Sequence, residues 1–278
     1  MKTAKTNFIM CLQILLAGML FGCGTDSRHY SSSVMDYLYP GKKEYFEEPG
    51  NPVLSLPLRA GIVFIPDSGH HHSDKSITEK DKISLLDTIS SNFKKYDFIK
   101  SIELIPSAYL RPGGGFSNMD QIQTMFGIDV IALVSYDQTQ FTDESMAAIT
   151  YWTLVGAYII PGKKNSIHTM MDTVVYDVKS RKMLFRAPGL SQVQSKSTLV
   201  NLTEQLRSDR LKGFEQASSE MVGNLEAQLS LFKEKIKESP QDYEVVHKPG
   251  YKGGGYLDIY FVLAVLLLGL MRFLRKKK

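Results

Sequence analysis

The chain has 278 residues, 43% hydrophobic and 22% charged, which is enough for one or two domains with a buried core. Its net charge of +4 is unevenly placed: Lys2 and Lys5 supply +2, and from Tyr256 onward five basic residues against Asp258 supply +4. The stretch from Cys23 to Gly255 is therefore −2, which excludes the basic footprint expected of a nucleic-acid-binding domain.

Residues 1–22 read as an export signal. Lys2 and Lys5 form a basic start, Phe8 to Phe21 is mostly apolar, and Leu20-Phe21-Gly22 precede Cys23. The stretch is too short to read first as a permanent span. A cysteine after a small residue, with Leu three positions upstream, resembles the lipobox of bacterial lipoproteins. That resemblance implies lipidation of Cys23, cleavage before it and acylation of the new amine. Several acyl chains hold a protein stably, at about 0.8 kcal/mol per buried CH₂. Cys11 leaves with the signal and Cys23 is consumed by lipid, so the mature chain has no thiol for a disulfide or a metal site.

Residues 23–52 are polar, with Ser31-Ser32-Ser33 and a Pro40-Gly41 turn, and read as a tether and lead-in. The domain is expected over 53–238. Leu58 to Ile65 reads as a strand, and Ile77 to Tyr96 as a helix with Ile83, Leu86, Ile89 and Phe93 on one face. Ile99 to Ile105 reads as a second strand, Met119 to Phe126 as a short helix, and Asp129 to Tyr136 as a buried strand. Ala147 to Ile160 is apolar and aromatic, which favours a strand with a bend at Gly156, although a helical start stays open. His168 to Asp177 and Lys182 to Arg186 form a predicted hairpin. Thr198 to Lys237 is helical, with Gly213 and Gly223 as points of bending or division. The order implies α/β class, a single mixed-sheet domain with a long C-terminal helical region. The topology and the turn Tyr176-Asp177-Val178-Lys179-Ser180-Arg181 resemble the curli-secretion (CsgG-like) and TolB N-terminal domains, a likeness that implies no activity.

Residues 239–255 read as a Gly/Pro linker ending in Gly253-Gly254-Gly255, and 256–278 as a tail: an apolar run over Ile259 to Met271, then Arg272, Arg275, Lys276, Lys277 and Lys278. The run is shorter than the roughly 20 residues of a comfortable span, and the basic end is expected on the cytoplasmic side. The glycines favour the extended backbone that an intramembrane protease needs. The order resembles the GlyGly C-terminal sorting tail, which implies removal by a rhomboid-type protease, rhombosortase. A plain C-terminal anchor is the alternative.

The whole chain resembles the rhombotail (rhombotarget) lipoprotein family. The likeness rests on Leu20 to Cys23, Met35-Asp36-Tyr37-Leu38-Tyr39-Pro40, Tyr151-Trp152-Thr153 with Gly156-Ala157-Tyr158, Ser180-Arg181 with Phe185-Arg186-Ala187-Pro188-Gly189, and the Gly253 to Lys278 tail. It implies a cell-envelope location, at the outer membrane or surface after tail removal. The implied partners are membrane lipid, the lipoprotein-processing enzymes and the rhomboid-type protease. It implies no known activity.

Candidate chemistry in the middle is sparse. His70-His71-His72, followed by Ser73 and Asp74, is a weak metal candidate and the basis of an alternative enzymatic reading. Pro112-Gly113-Gly114-Gly115-Phe116 lacks the Gly-Lys-Ser/Thr ending of a phosphate loop. Asp143 and Glu144 are adjacent, and Tyr151, Trp152 and Tyr158 read first as core. The expectation is a non-enzymatic binding or self-assembling domain that needs no cofactor.

Overall fold

A computed structural model describes residues 26–40, 49–67, 77–144, 161–249 and 251. In chain order the elements are β1 (Asp26–Ser31), α1 (Val34–Leu38), β2 (Val53–Leu56), β3 (Leu58–Phe64), α2 (Glu79–Ser91), β4 (Ile99–Ile105), α3 (Gly115–Phe126), β5 (Val130–Glu144), β6 (Lys163–Asp177), β7 (Met183–Ser197), α4 (Leu202–Glu238) and β8 (Glu244–His247). The predicted α/β class and mixed sheet hold. Strand order is β4-β3-β5-β6-β7, with β1 also on β5, and β2 pairs β8 in a separate parallel ribbon.

Strand β3 lies parallel to β4 and β5, whereas β5, β6 and β7 run antiparallel. The chain leaves β3 in one direction to reach β4, then crosses back to β5. Right-handed crossovers in opposite directions put their helices on opposite faces. Helix α2 accordingly packs with Ile62, Phe64, Val134 and Met171 on one face, and α3 with Val63, Ile131, Leu133 and Val174 on the other. The period-2 alternation of β3 and β5 feeds both cores. Helix α4 joins α2 through Phe214, Ala217, Met221 and Leu225.

Within the segment read as tether and lead-in, residues 26–40 are part of the fold. Strand β1 pairs with the far half of β5, Asp26 opposite Thr142 and Ser31 opposite Asp137. Helix α1 is capped by the Ser33 hydroxyl, which accepts from the Asp36 N–H at 3.2 Å. It buries Tyr37 and Leu38 against α3. Backbone pairing, rather than apolar alternation, makes β1 a strand. The domain also extends past residue 238, since Glu244–His247 of the predicted linker is the ribbon strand β8.

The predicted hairpin is far longer than its apolar parts, with β6 and β7 at 15 residues each. Buried polar residues carry it past Tyr136. Gln138 donates to Thr169 Oγ1 at 2.8 Å and to the Arg210 carbonyl at 3.2 Å, and Asn165 donates to Ser197 Oγ at 3.0 Å. Strand β7 is an edge strand, which accommodates Pro188. Its outward groups are taken by α4: Asn224 donates to the Pro188 carbonyl at 2.7 Å, and Leu190 N–H donates to Glu220 at 2.9 Å. Helix α4 is one helix of 37 residues, neither ended nor divided at Gly213 or Gly223. Gly213 serves close approach, because a Cβ there would lie 2.6 Å from Thr169 Oγ1. The expected strand over Ala147 to Ile160, with Tyr151, Trp152 and Tyr158, lies outside the described residues.

Candidate functional site

On the α2/α4 face the sheet does not pack solidly. A cavity of about 760 Å³ opens where α2 ends, under the C-terminal half of α4 and beside the β2–β8 ribbon. Its floor is made by alternate residues of neighbouring strands, among them Ala60 of β3, Ala132 of β5 and Val175 of β6. Ala60 sits opposite Ile102 and Val130, and Ala132 opposite Ile62 and Val175, so two small side chains lie on one patch of floor. Leu225, Leu229 and Phe232 of α4 form the roof. The volume is within the roughly 300–1,000 Å³ of small-molecule sites.

The polar groups that line the interior are already bonded. Thr173 Oγ1 donates to Met221 Sδ at 3.0 Å, and Ser90 Oγ donates to the Asp87 carbonyl at 3.0 Å. Among the described residues, the buried side-chain atoms without a partner belong to Gln138, Thr142, Asn165 and Arg210, none of which lines the cavity. The interior therefore offers a guest apolar surface and no donor or acceptor awaiting one.

The charged lining residues are at the rim. Lys95 pairs with Glu226 at 2.6 Å and bridges the loop after α2 to α4. The Lys233 ammonium sits over the Tyr96 and Phe98 rings, 4.9 and 4.4 Å from their centres. Asp97 and His247 are exposed there, and the His247 and Tyr251 rings lie 5.7 Å apart. An aromatic–cation rim around an apolar interior suits an amphiphile, whose two ends need different surroundings.

A second polar group fixes the floor of the fold. The Asp129 carboxylate accepts from Arg59 N–H, Nε and Nη2 at 3.0, 3.3 and 2.9 Å, and from Lys248 Nζ at 3.1 Å. Burial works to raise its pKa, but the hydrogen bonds from Arg59 and Lys248 prevail and lower it to about 2. This cluster is structural, tying β3, β5 and the end of β8 together. The glycine loop before α3 is structural too. Gly113 and Gly115 adopt positive φ, and a Cβ on Gly113 would lie 2.9 Å from Pro40 Cβ, so the loop seats Pro40, two residues past α1.

Leu20 to Cys23, His70 to His72, Gly253 to Gly255 and Arg272 to Lys278 are all outside the described residues. Asp143 and Glu144 lie at the end of β5, where Glu144 pairs with Lys163 rather than forming an acid dyad. Among the described residues no group of metal-ligating side chains converges. The cavity was not among the sequence candidates. Its one sequence signal is the pair of small residues, Ala60 and Ala132, in strands otherwise rich in large apolar ones.

No family model and no curated protein matches the chain. Similar solved structures include a neuraminyllactose-binding hemagglutinin homolog from Helicobacter pylori, 10% identical with TM-score 0.38, covering 71% of this chain and 96% of that one. A DUF330 protein from Xanthomonas campestris is 9% identical with TM-score 0.32, over 68% of this chain and 97% of that one. The PelC dodecamer protein from Paraburkholderia phytofirmans is 10% identical with TM-score 0.26, over 70% and 99%. No residue role is transferred from them.

Proposed function

We propose that the chain is a bacterial envelope lipoprotein whose α/β domain binds an apolar or amphipathic ligand in the cavity under α4. In this reading it is exported, lipid-anchored at Cys23 and trimmed near Gly253 to Gly255 by a rhomboid-type protease. It is a rhombotail-type lipoprotein and not an enzyme. The observation that carries the binding role is the cavity of about 760 Å³ with every interior hydroxyl already partnered. A site that turns over a substrate needs groups free to act on it, and this interior favours retention instead. The targeting part rests on the lipobox and the ordered tail. Two residues, Gly24 and Thr25, separate Cys23 from β1, so a lipid there would hold the domain close to its anchor.

Binding is tested with a naphthylamine fluorophore that brightens in apolar surroundings. Saturable uptake at one site per chain, abolished by Ala132→Phe in a protein that still melts cooperatively, is expected. Uptake unaffected by Ala132→Phe would refute the site. Mass spectrometry of both termini of the mature protein tests the targeting part: acylated Cys23 and loss of Arg272 to Lys278 are expected, and an intact tail refutes trimming.

A further inference from the structure

We infer that the ligand is an acyl chain of a membrane phospholipid, taken from the bilayer against which the uncut C-terminal tail holds the cavity mouth. The inference rests on the binding and targeting readings above and adds the ligand's class and the route by which it enters.

The geometry begins at the rim. Tyr251 lines the cavity. Ile259, where the apolar run begins, is eight residues further along. Eight residues reach at most about 28 Å even fully extended. If the run over Ile259 to Met271 enters a bilayer, the mouth stays within that distance of the lipid surface. The rim is suited to such a surface. Tyr96, Phe98 and Tyr251 are aromatic, Lys95 and Lys233 are cationic, and these residue types gather at the boundary between lipid headgroups and water. Asp97 and Glu226 bring negative charge to the same edge, so the rim holds both signs. It would meet a zwitterionic or a mixed headgroup without a large net field. Behind the rim, the apolar lining would accept the chain of a lipid and exclude its headgroup.

The other anchor is at the far end of the molecule. Ala132 lies on the cavity floor, while Thr142 of the same strand pairs with Asp26. Those ten residues of β5 span roughly 33 Å at about 3.3 Å each. Cys23 is three residues before Asp26. Acyl chains on Cys23 therefore enter a membrane near the end of the domain opposite the mouth. While a membrane-inserted tail remains, the mouth would be kept within that reach of the membrane. Once the tail is cut, only the distant anchor is left and the mouth is free to face away. Tail removal thus converts a loading position into a presenting one.

The test feeds cells a diazirine fatty acid that enters phospholipids, then irradiates them and maps lipid adducts on peptides of the cavity lining. The full chain is compared with a chain ending at Gly255, both carrying Cys23. At least fivefold more adduct on the α4 peptide holding Leu225 to Phe232 is expected in the full chain, with none in its Ala132→Phe variant. Equal labelling of the two chains overturns loading through the tail. Absence of adducts in both, while each purified chain still takes up the naphthylamine probe, overturns the phospholipid assignment and leaves the binding reading standing. If neither chain takes up the probe, the binding reading falls and this inference falls with it.

Discussion

Lys248 Nζ lies 3.1 Å from Asp129 Oδ2 and also donates to the Pro57 carbonyl at 3.3 Å, so one side chain fastens the end of β8 to the start of β5 and to the entry of β3. The ribbon that walls one side of the cavity is held to the sheet through this contact.

The Asp129 pKa lowered to about 2, against an ordinary 3.8, has a definite sign in stability. A depressed carboxylate stabilises the fold above its unfolded value and loses that contribution as pH falls toward the folded one. The window is about pH 4 down to about pH 2. With Arg59 half exposed, the contribution is on the order of 1 to 2 kcal/mol. Asp129→Asn is expected to lower the melting temperature at pH 7 and to flatten the acid limb of a urea-midpoint series over that window. A variant with an unchanged acid limb would show that Asp129 is not the titrating group.

Gly189 sits where β7 meets α4. A Cβ there would lie 2.1 Å from the Ala217 carbonyl oxygen and 2.6 Å from the Met221 N–H nitrogen, both backbone atoms of the helix. Neither can yield as a flexible side chain could. Gly189→Ala is expected to cost about 1–3 kcal/mol or more, as overpacking does, read as a lower urea midpoint. Gly223→Ala is the control: its Cβ meets nothing within 4 Å, and alanine is the better helix former. It is expected to leave stability unchanged or raise it by up to about 1 kcal/mol.

Helix α1 belongs to the core although the chain around it is polar. Tyr37 donates to Asn118 Oδ1 at 3.0 Å, and the same oxygen accepts from Arg111 N–H at 2.9 Å. Burial pushes the Tyr37 phenol pKa up, so it stays a donor across the working range. Tyr37→Phe removes the donor and keeps the ring, with an expected loss of about 1 kcal/mol. Leu38→Ala is expected to cost about 2–5 kcal/mol. A chain begun at residue 41 should then melt well below one begun at residue 23. Equal melting temperatures would restore the tether reading of this segment.

What the sequence disclosed follows from what apolar pattern can encode. Strands β3 and β5 alternate large apolar residues toward two cores, and α2 and α4 repeat theirs at helical spacing, so these elements were legible. The polar strand β1 was not, because Asp26–Ser31 is held by backbone pairing to β5. The far halves of β5 to β7 were not, because Gln138, Thr169 and Asn165 are polar yet buried: the Gln138 amide donates to Thr169 and to the Arg210 carbonyl of α4, and the Asn165 amide donates to Ser197 of β7. Pro188-Gly189 reads locally as a break, but an edge strand covered by a helix tolerates both. The cavity needs Ala60, Ala132, Leu229 and His247 to converge from four elements, and no local spacing announces that.

That convergence makes a prediction about sign. Most enlargements of a core side chain destabilise because the space is already filled. Ala132 faces unfilled volume, so Ala132→Leu should instead bury new apolar carbon against Ile62, Val175 and the α4 roof. Each added CH₂ buried is worth about 0.8 kcal/mol, giving a gain of up to about 2 kcal/mol. In a domain of this size that raises the melting temperature by roughly 2–4 °C per kcal/mol. The same change should lower affinity for the naphthylamine probe, since the ligand and the new side chain compete for one space. Leu225→Ala is the converse: a buried roof residue is removed, with an expected cost of about 2–5 kcal/mol. Calorimetry and probe titration on both variants read the two quantities separately. Stability and binding moving in opposite directions at Ala132 would mark the space as a ligand site kept open at a cost in stability; a fall in both would mean that the cavity closes in solution.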